Sequence, residues 1–311
     1  MCIALISTAH PDYALVLINN RDEYLSRPTA DAAWWPAPNE HILGGRDLLR
    51  EEQGTWLGIT NQGLVAVLTN FREEGGSVQA PRSRGAMINA FLKQSTEEEH
   101  DTEAFIKKLL HGDDLKGIGG FSLICGKVGE PLAVISNRTP SVEGVTWIAG
   151  KNGETVGLSN ATFSNKSWPK VNDGKKLMAA AIARSVAHKD NKRNFVEEMM
   201  SLLSIDTLPK KKNGETWDAF IKELRLSILI PRLGGEGMDG MKAEDIAAAR
   251  SELPVGLSGL YGTQKQTVVL VDHQGRVTFV ERSLYDTDAR PVNETERDKW
   301  FEFSIEGWPT R

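Results

Sequence analysis

The chain has 311 residues, of which 40% are hydrophobic and 25% are charged, and its formal net charge is -5 at pH 7. This length and composition can bury a sizeable core, and the acidic balance argues against a nucleic-acid-binding protein, which would carry a basic patch. No apolar run approaches the roughly 18 residues of a transmembrane helix, and no basic leader precedes an apolar core, so neither a membrane span nor a secretory signal is predicted.

Turn-forming residues between apolar runs of strand length recur along the chain and predict antiparallel hairpins. Because tight turns join antiparallel strands, they argue against a doubly wound parallel sheet. A closing strand is predicted over 300–305. The four predicted hairpins span 2–18, 55–68, 145–158 and 267–280.

Helical spacing of apolar residues occurs in two blocks, each between sets of strands. Helices segregated from antiparallel strands predict an α+β fold, a four-layer αββα sandwich of two mostly antiparallel sheets. No internal repeat or low-complexity segment divides the chain, so residues 1–311 are predicted to form a single domain. The predicted helices span 82–92, 102–110, 170–188, 194–203 and 215–229.

Cysteine is used only twice, at Cys2 and Cys125, which favours a thiol protein in a reducing compartment and predicts a cytoplasmic location. The six histidines show no metal-ligand spacing, so no metal site is predicted. Cys2 is small enough that removal of Met1 is expected, which leaves a thiol and a free α-amine on one residue. With ordinary pKa values of about 8.5 and about 7.7 to 8, that amine can accept the thiol proton. The alternative is that Cys2 is a buried strand residue.

A run of polar residues directly follows the second predicted strand. In an antiparallel hairpin the end of this strand lies opposite Cys2, so the run is expected to reach the thiol. Asp22 can orient the amine, and Arg21 can polarise an acyl oxygen. The alternative is an exposed strand end with a local ion pair. The run comprises Asn19, Asn20, Arg21, Asp22 and Glu23.

The segment Asn20-Arg21-Asp22-Glu23 resembles the signature of the NRDE family, also called the transport and Golgi organisation protein two family. Further segments that resemble the family span nearly the entire chain. They are Met1-Cys2, Arg27-Pro28, Thr55-Trp56-Leu57-Gly58, Leu68-Thr69-Asn70, Gly157-Leu158-Ser159-Asn160, Trp168-Pro169-Lys170-Val171 and Tyr261-Gly262-Thr263.

That family is similar in layout to the cysteine N-terminal nucleophile hydrolases, which include penicillin V acylases and bile salt hydrolases and have a four-layer αββα fold. The resemblance implies that Cys2 is the nucleophile and that Asp22 contacts its amine. Asn19 stands where those hydrolases carry an arginine. Arg21, two residues further on and on the same face of the strand, is the expected substitute.

The resemblance also implies roles for residues far along the chain. Thr69-Asn70-Phe71 resembles a loop that lines the hydrolase site, and Asn160 resembles the asparagine that supports the oxyanion, although either asparagine could instead cap a turn. Gln264 or Lys265 stands where the hydrolases carry a late arginine. The predicted catalytic residues are Cys2, Arg21, Asp22, Asn70 and Asn160, and the predicted binding residues are Asn19, Asn20, Glu23, Trp56 and Phe71.

The sequence leaves three interpretations open. The first is an amidase or thioesterase that acts on acyl amides or acyl thioesters without a required cofactor. The second, implied by the family resemblance, is a non-catalytic protein that binds or carries haem or a lipid, with a link to lipid homeostasis, protein secretion, and the Golgi or mitochondria. The third is an interaction protein in which the polar run only locks the hairpin. The missing arginine at Asn19 favours binding, whereas Cys2, Asp22 and Asn160 together favour chemistry.

Overall fold

The computed structural model describes residues 1–70, 83–94, 101–112, 118–234 and 259–309. Thirteen strands and five α-helices lie in these ranges. The strands are β1 Ile3–Ser7, β2 Tyr13–Tyr24, β3 Thr29–Trp34, β4 Ile42–Asp47, β5 Leu57–Thr60, β6 Leu64–Asn70, β7 Phe121–Lys127, β8 Leu132–Ser136, β9 Thr146–Ile148, β10 Thr155–Leu158, β11 Tyr261–Asp272, β12 Arg276–Ser283 and β13 Asp298–Ser304. The helices are α1 Gly85–Leu92, α2 Thr102–His111, α3 Pro169–His188, α4 Lys192–Leu203 and α5 Trp217–Phe220.

The strands form two antiparallel sheets. The six-stranded sheet has the order β10-β1-β2-β11-β12-β13, and the seven-stranded sheet has the order β3-β4-β5-β6-β7-β8-β9. Among the described residues, every pair of neighbouring strands in both sheets is antiparallel. The predicted closing strand is confirmed as β13.

Alternation along the strands divides the buried residues into three layers of core. In β1, Ala4 and Ile6 face the core between the sheets, while Ile3 and Leu5 pack against the residues of α3 and α4. On the other side of the molecule, α1 and α2 cover the seven-stranded sheet through residues such as Phe91. Because a strand's side chains alternate with period two, both faces of each sheet are buried here. The predicted four-layer αββα sandwich is confirmed.

Three predicted hairpins are confirmed, namely β1–β2, β5–β6 and β11–β12. The fourth, predicted over 145–158, is wrong, because β9 pairs with β8 in one sheet and β10 pairs with β1 in the other. The connecting residues already bond to the end of β1: the Thr8 amide donates to the Glu154 carbonyl at 2.9 Å, and the Gly153 amide donates to the Thr8 carbonyl at 3.1 Å. Each strand therefore finds its hydrogen bonds in a different sheet.

The predicted helices correspond to α1 to α4, but the helix predicted over 215–229 is wrong. Only α5 and a 3-10 turn, Ile221–Arg225, form there. Beyond that turn the chain bonds to distant partners: the Leu229 amide donates to the Ile205 carbonyl at 2.9 Å, and the Ile230 amide donates to the Thr263 hydroxyl at 2.8 Å. In the part of the chain that the structure describes, no helix has the length and apolar character needed to cross a membrane.

Candidate functional site

Cys2 lies immediately before β1, at the edge where the hairpin brings back the end of β2. The register pairs Ile3 with Asn20, which puts Cys2 beside Arg21 and Asp22, as the sequence predicts. The Asp22 amide donates to the Cys2 Sγ at 3.4 Å, and the thiol faces the Asp22 carbonyl at 3.7 Å. The thiol is thus held by the backbone of the polar run.

The amino terminus of the chain is buried at the same place, although chain termini usually lie at the surface. The Met1 α-amine is 3.2 Å from Asp22 Oδ2 and also donates to the Tyr261 hydroxyl. The Met1 side chain packs with Leu224 and Ile230. The N-terminus is therefore fixed by both polar and apolar contacts.

Asp22 is the one carboxylate among these groups, and its side chain is fully buried. Its Oδ1 accepts a hydrogen bond of 2.7 Å from the Thr263 hydroxyl on β11. Its Oδ2 faces the Met1 amine and, at 3.8 Å, the Lys170 Nζ from the first turn of α3. Lys170 is also fully buried, and its Nζ donates to the Met1 carbonyl at 2.5 Å. Two basic nitrogens thus share a single buried negative charge.

Burial governs the ionisation of this cluster, because removal from water disfavours the charged form of every group. It lowers the pKa of the Met1 α-amine and of Lys170, and the negative charge of Asp22 opposes both effects. Burial raises the pKa of the Cys2 thiol, and the positively charged amine is the largest opposing influence, with a smaller one from Arg21. The pKa of Tyr261 is also raised by burial, so its hydroxyl stays neutral.

The segment after β10 closes the other side of Cys2. The Ser159 hydroxyl donates to the Cys2 carbonyl at 2.6 Å and lies 3.4 Å from Asn160 Oδ1. The Thr69 hydroxyl near the end of β6 donates to the Ser159 carbonyl at 2.8 Å, so the end of a strand in the seven-stranded sheet contacts the segment that follows β10 of the other sheet. Thr69 makes this contact and Asn70 comes next in the strand. The oxyanion roles of Asn70 and Asn160 stay predictions, and Phe71 lies outside the described residues.

Arg21 points into the core between the sheets. Its guanidinium carbon is 4.5 Å from the centre of the Trp56 ring, a cation-π distance, and its Nη1 donates to Gln264 Oε1. Gln264 lies at a bulge of β11, between Thr263 and Lys265. Of the two candidates for the place of the late hydrolase arginine, Gln264 is therefore the one that contacts Arg21. Lys265 instead pairs with Asp31 and Glu281.

The remaining predicted binding residues make contacts within the fold. The Asn19 side-chain amide donates across the hairpin to the Ile3 carbonyl at 2.9 Å. The Asn20 amide faces the helical layer and donates to the Leu203 and Ile228 carbonyls at 2.8 and 2.9 Å. Glu23 accepts from the Tyr24 amide at 2.9 Å. These contacts fix strands and a helix end, and a binding role for the three residues stays a prediction.

Residues 1–286 match the sequence model of the family Transport and Golgi organisation 2. The chain belongs to this family. The human Transport and Golgi organization protein 2 homolog is 32% identical over 281 residues, which cover 89% of this chain and 88% of the relative.

Solved structures similar to this member of the Transport and Golgi organisation 2 family include an amidase and an acylase. The Caenorhabditis elegans N-acylethanolamine-hydrolyzing acid amidase ortholog is 14% identical, covers 68% of this chain and 88% of its own, and has a TM-score of 0.45. Penicillin V acylase from Agrobacterium tumefaciens is 12% identical, covers 98% and 87%, and has a TM-score of 0.40. Likenesses of this degree assign no activity to the chain.

The cluster contains three residues to which the sequence assigned no role: Lys170, Tyr261 and Thr263. All three lie in segments that carry the resemblance to the Transport and Golgi organisation 2 family, 168–171 and 261–263. The position of Lys170 directly after Trp-Pro at a predicted helix start was the sequence feature that could have marked it, but this feature does not indicate which residues it contacts. Among the described residues, no group of three or more His, Cys, Asp or Glu side chains is arranged to hold a metal ion.

Proposed function

We propose that this chain, once Met1 is removed, is a cysteine N-terminal nucleophile hydrolase that cleaves C–N amide or thioester bonds of small acyl or lipid-like substrates. The observation that carries the proposal is the burial of the first two residues around Asp22: the amine of Met1, which leaves with that residue, is 3.2 Å from the fully buried carboxylate, and the Cys2 Sγ accepts from the Asp22 amide at 3.4 Å. A buried terminus gives up hydration of its charge, and a terminal amine used as a base needs such a fixed position.

Removal of Met1 is part of the proposal, because the Cys2 nitrogen is a peptide nitrogen while Met1 is present. In the shortened chain the neutral α-amine takes the thiol proton, and the Cys2 thiolate attacks the acyl carbon. The tetrahedral oxyanion accepts a hydrogen bond from the Asn160 amide. Its collapse breaks the bond to the leaving amine or thiol, which takes the proton from the Cys2 ammonium. Water, deprotonated by the same amine, then hydrolyses the acyl-cysteine thioester.

Arg21 serves this mechanism through its charge. Its positive charge is among the influences that lower the pKa of Cys2, and its stacking on Trp56 and bond to Gln264 keep it between the sheets. It thereby favours the thiolate, while Trp56 offers an apolar wall. The family name refers to transport and Golgi organisation, and as part of the proposal we place the activity in the cytoplasm at Golgi or mitochondrial membranes.

The test is turnover of acyl amides and acyl thioesters of increasing chain length by protein that lacks Met1. We expect release of the leaving group by the parent and by Cys125→Ala, and loss of release in Cys2→Ala. Cys125 is the matched control because it is the other cysteine of the chain and is also buried. Equal release by Cys2→Ala would contradict the proposal.

A second candidate function is non-catalytic binding of haem or a lipid. The observation that favours it is that burial raises the pKa of the Cys2 thiol while Met1, a residue that is 9% exposed, occupies the adjacent apolar cluster. A carrier needs neither a free amine nor a thiolate. Saturable haem binding that persists in Cys2→Ala, with no acyl turnover by the Met1-free parent, would support the carrier and remove the hydrolase.

A further inference from the structure

Lys170, to which the sequence assigned no role, lies close to the nitrogen that becomes the amino terminus when Met1 is removed. Its Nζ is 2.5 Å from the Met1 carbonyl oxygen. This oxygen and the Cys2 nitrogen are bonded to the same carbon and are about 2.25 Å apart, from standard peptide geometry. The Nζ therefore lies no more than about 5 Å from the Cys2 nitrogen, which becomes the α-amine when Met1 is removed.

The position of Lys170 is fixed by the fold. The residue follows Pro169, which begins α3, and its side chain is fully buried. The Gly174 face of the same helix packs so closely against Leu5 of β1 that a Cβ added at Gly174 would lie 3.0 Å from Leu5 Cδ1. The first turn of α3 is thus held against the strand that starts with Cys2, and the lysine has little freedom to move away.

The charge balance of the cluster decides which nitrogen carries a proton. Within the described ranges, Asp22 is the one carboxylate that faces Lys170 and the amine, Tyr261 contributes a hydroxyl from β11, and Cys2 contributes a thiol. A single carboxylate compensates one buried cation, and a second uncompensated cation is costly. Burial lowers the pKa of both nitrogens, and because the ordinary pKa of lysine, about 10.4, starts well above the value of about 7.7 to 8 for an α-amine, we assign the proton to the lysine.

We propose that Lys170 is a positioning residue whose ammonium forms an ion pair with the Asp22 carboxylate and thereby holds the α-amine of Cys2 in its neutral, basic form. The inference rests on the proposed function for the use of that amine, but the ionisation itself is independent of any substrate. Without Lys170, Asp22 is left to pair with the amine, which becomes an ammonium and can no longer accept the thiol proton. Lys170 would thus set the pH above which Cys2 reacts.

The experiment is an NMR titration of the Cys2 α-amine in Met1-free protein labelled with ¹⁵N-cysteine, in a Cys125→Ala background that leaves one labelled residue. We expect the amine in the folded parent to titrate below its value in urea. In Lys170→Met its apparent pKa should rise by about 1 to 3 pH units, the range for loss of a nearby charge. Lys170→Arg keeps the charge and should stay close to the parent. Lys176→Met, an exposed lysine of the same helix, is the control.

An unchanged amine pKa in a folded Lys170→Met protein of reduced Tm would overturn the proposal and leave Lys170 a merely structural residue. Should that variant not fold, the parent alone decides: an amine that titrates in the folded state at or above its value in urea overturns the proposal. Absence of acyl turnover would contradict the hydrolase, but it would leave the titration result intact, so the two failures are distinguishable.

Discussion

Asp22 connects the chemistry of the site to the stability of the fold. Its fully buried carboxylate accepts from Thr263 and faces both Met1 and Lys170. Its own backbone amide donates to the Cys2 sulfur. The hairpin predicts the meeting of Cys2 and Asp22, because that contact depends only on local turn signals. Lys170 could not be predicted as their partner, since its place depends on how α3 packs against strands distant in sequence.

Replacement of Asp22 by Asn should lower the free energy of unfolding by about 3 to 5 kcal/mol, the range for breaking a buried ion pair. Lys170 then either stays charged without a partner or loses its proton at neutral pH, and each outcome costs stability. Urea unfolding at pH 7 measures the change. Asp173→Asn, which removes an exposed carboxylate paired with Lys176, is the control and should have a far smaller effect. A loss for Asp22→Asn as small as the control would contradict this role.

Replacement of Asn160 by Ala should slow acylation of Cys2 by about 10²- to 10³-fold, the usual loss for one oxyanion donor. The side-chain Oδ1 of Asn160 lies 3.4 Å from the Ser159 hydroxyl, which donates to the Cys2 carbonyl, so the residue is adjacent to the nucleophile. The acylation rate is measured by incubating Met1-free protein with an acyl thioester and following the intact mass by mass spectrometry. Asn165→Ala, at an exposed position nearby, should react like the parent. A lower Tm with unchanged acylation would instead make Asn160 a turn residue.

At the level of elements, α4 ends where a side chain of β2 binds it. Asn20 donates to the carbonyl of Leu203, the last residue of α4, and to the carbonyl of Ile228. The sequence predicts that Asn20 lies near the nucleophile. It does not predict that the Asn20 side chain lies on the face of β2 that contacts the helical layer. The same kind of distant bond replaces the helix predicted over 215–229. Hairpins and amphipathic helices can be predicted from the local sequence pattern, whereas these hydrogen bonds between residues distant in sequence cannot.

Replacement of Asn20 by Ala should lower the free energy of unfolding by about 1 to 3 kcal/mol, because two buried carbonyls lose their donor. Hydrogen exchange should accelerate at the end of α4 and around Ile228, while the rate of Cys2 acylation stays near that of the parent. Asn194→Ala, an exposed residue of the same helix, is the control. Slower acylation without faster exchange would show that Asn20 belongs to the binding site after all.

Across the whole molecule, a buried charge group joins the two sheets beside the site. Glu281 of β12 accepts from the Ala32 amide of β3 at 2.7 Å and lies 3.8 Å from the Lys265 Nζ. Burial raises the pKa of Glu281, and Lys265 is the largest influence that opposes this rise. The two-sheet architecture can be predicted from the hairpin pattern. The hydrogen bond between Ala32 and Glu281 cannot, because β3 and β12 are distant in sequence.

Replacement of Lys265 by Met should cost about 3 to 5 kcal/mol of unfolding free energy at pH 8, where Glu281 is left buried without its partner. The pKa of Glu281 in the folded state then rises further above its ordinary value of about 4.3. A folded-state carboxyl with a raised pKa contributes stability at low pH that is lost as pH increases. The loss should therefore be smaller at pH 4.5 than at pH 8, as urea unfolding at both values will show. Lys192→Met, which breaks the exposed pair with Glu302, is the control, and equal losses at both pH values would contradict the assignment.

The central claim is that loss of Met1 turns a buried cysteine into a nucleophile with its own base. The most direct measurement is the intact mass of the two forms of the protein, with and without Met1, after incubation with the same acyl thioester. We predict an acyl adduct on the Met1-free form alone, mapped to Cys2 and lost with time as water hydrolyses it. Equal acylation of Cys2 in the form that retains Met1, or no adduct on either form, would contradict the claim.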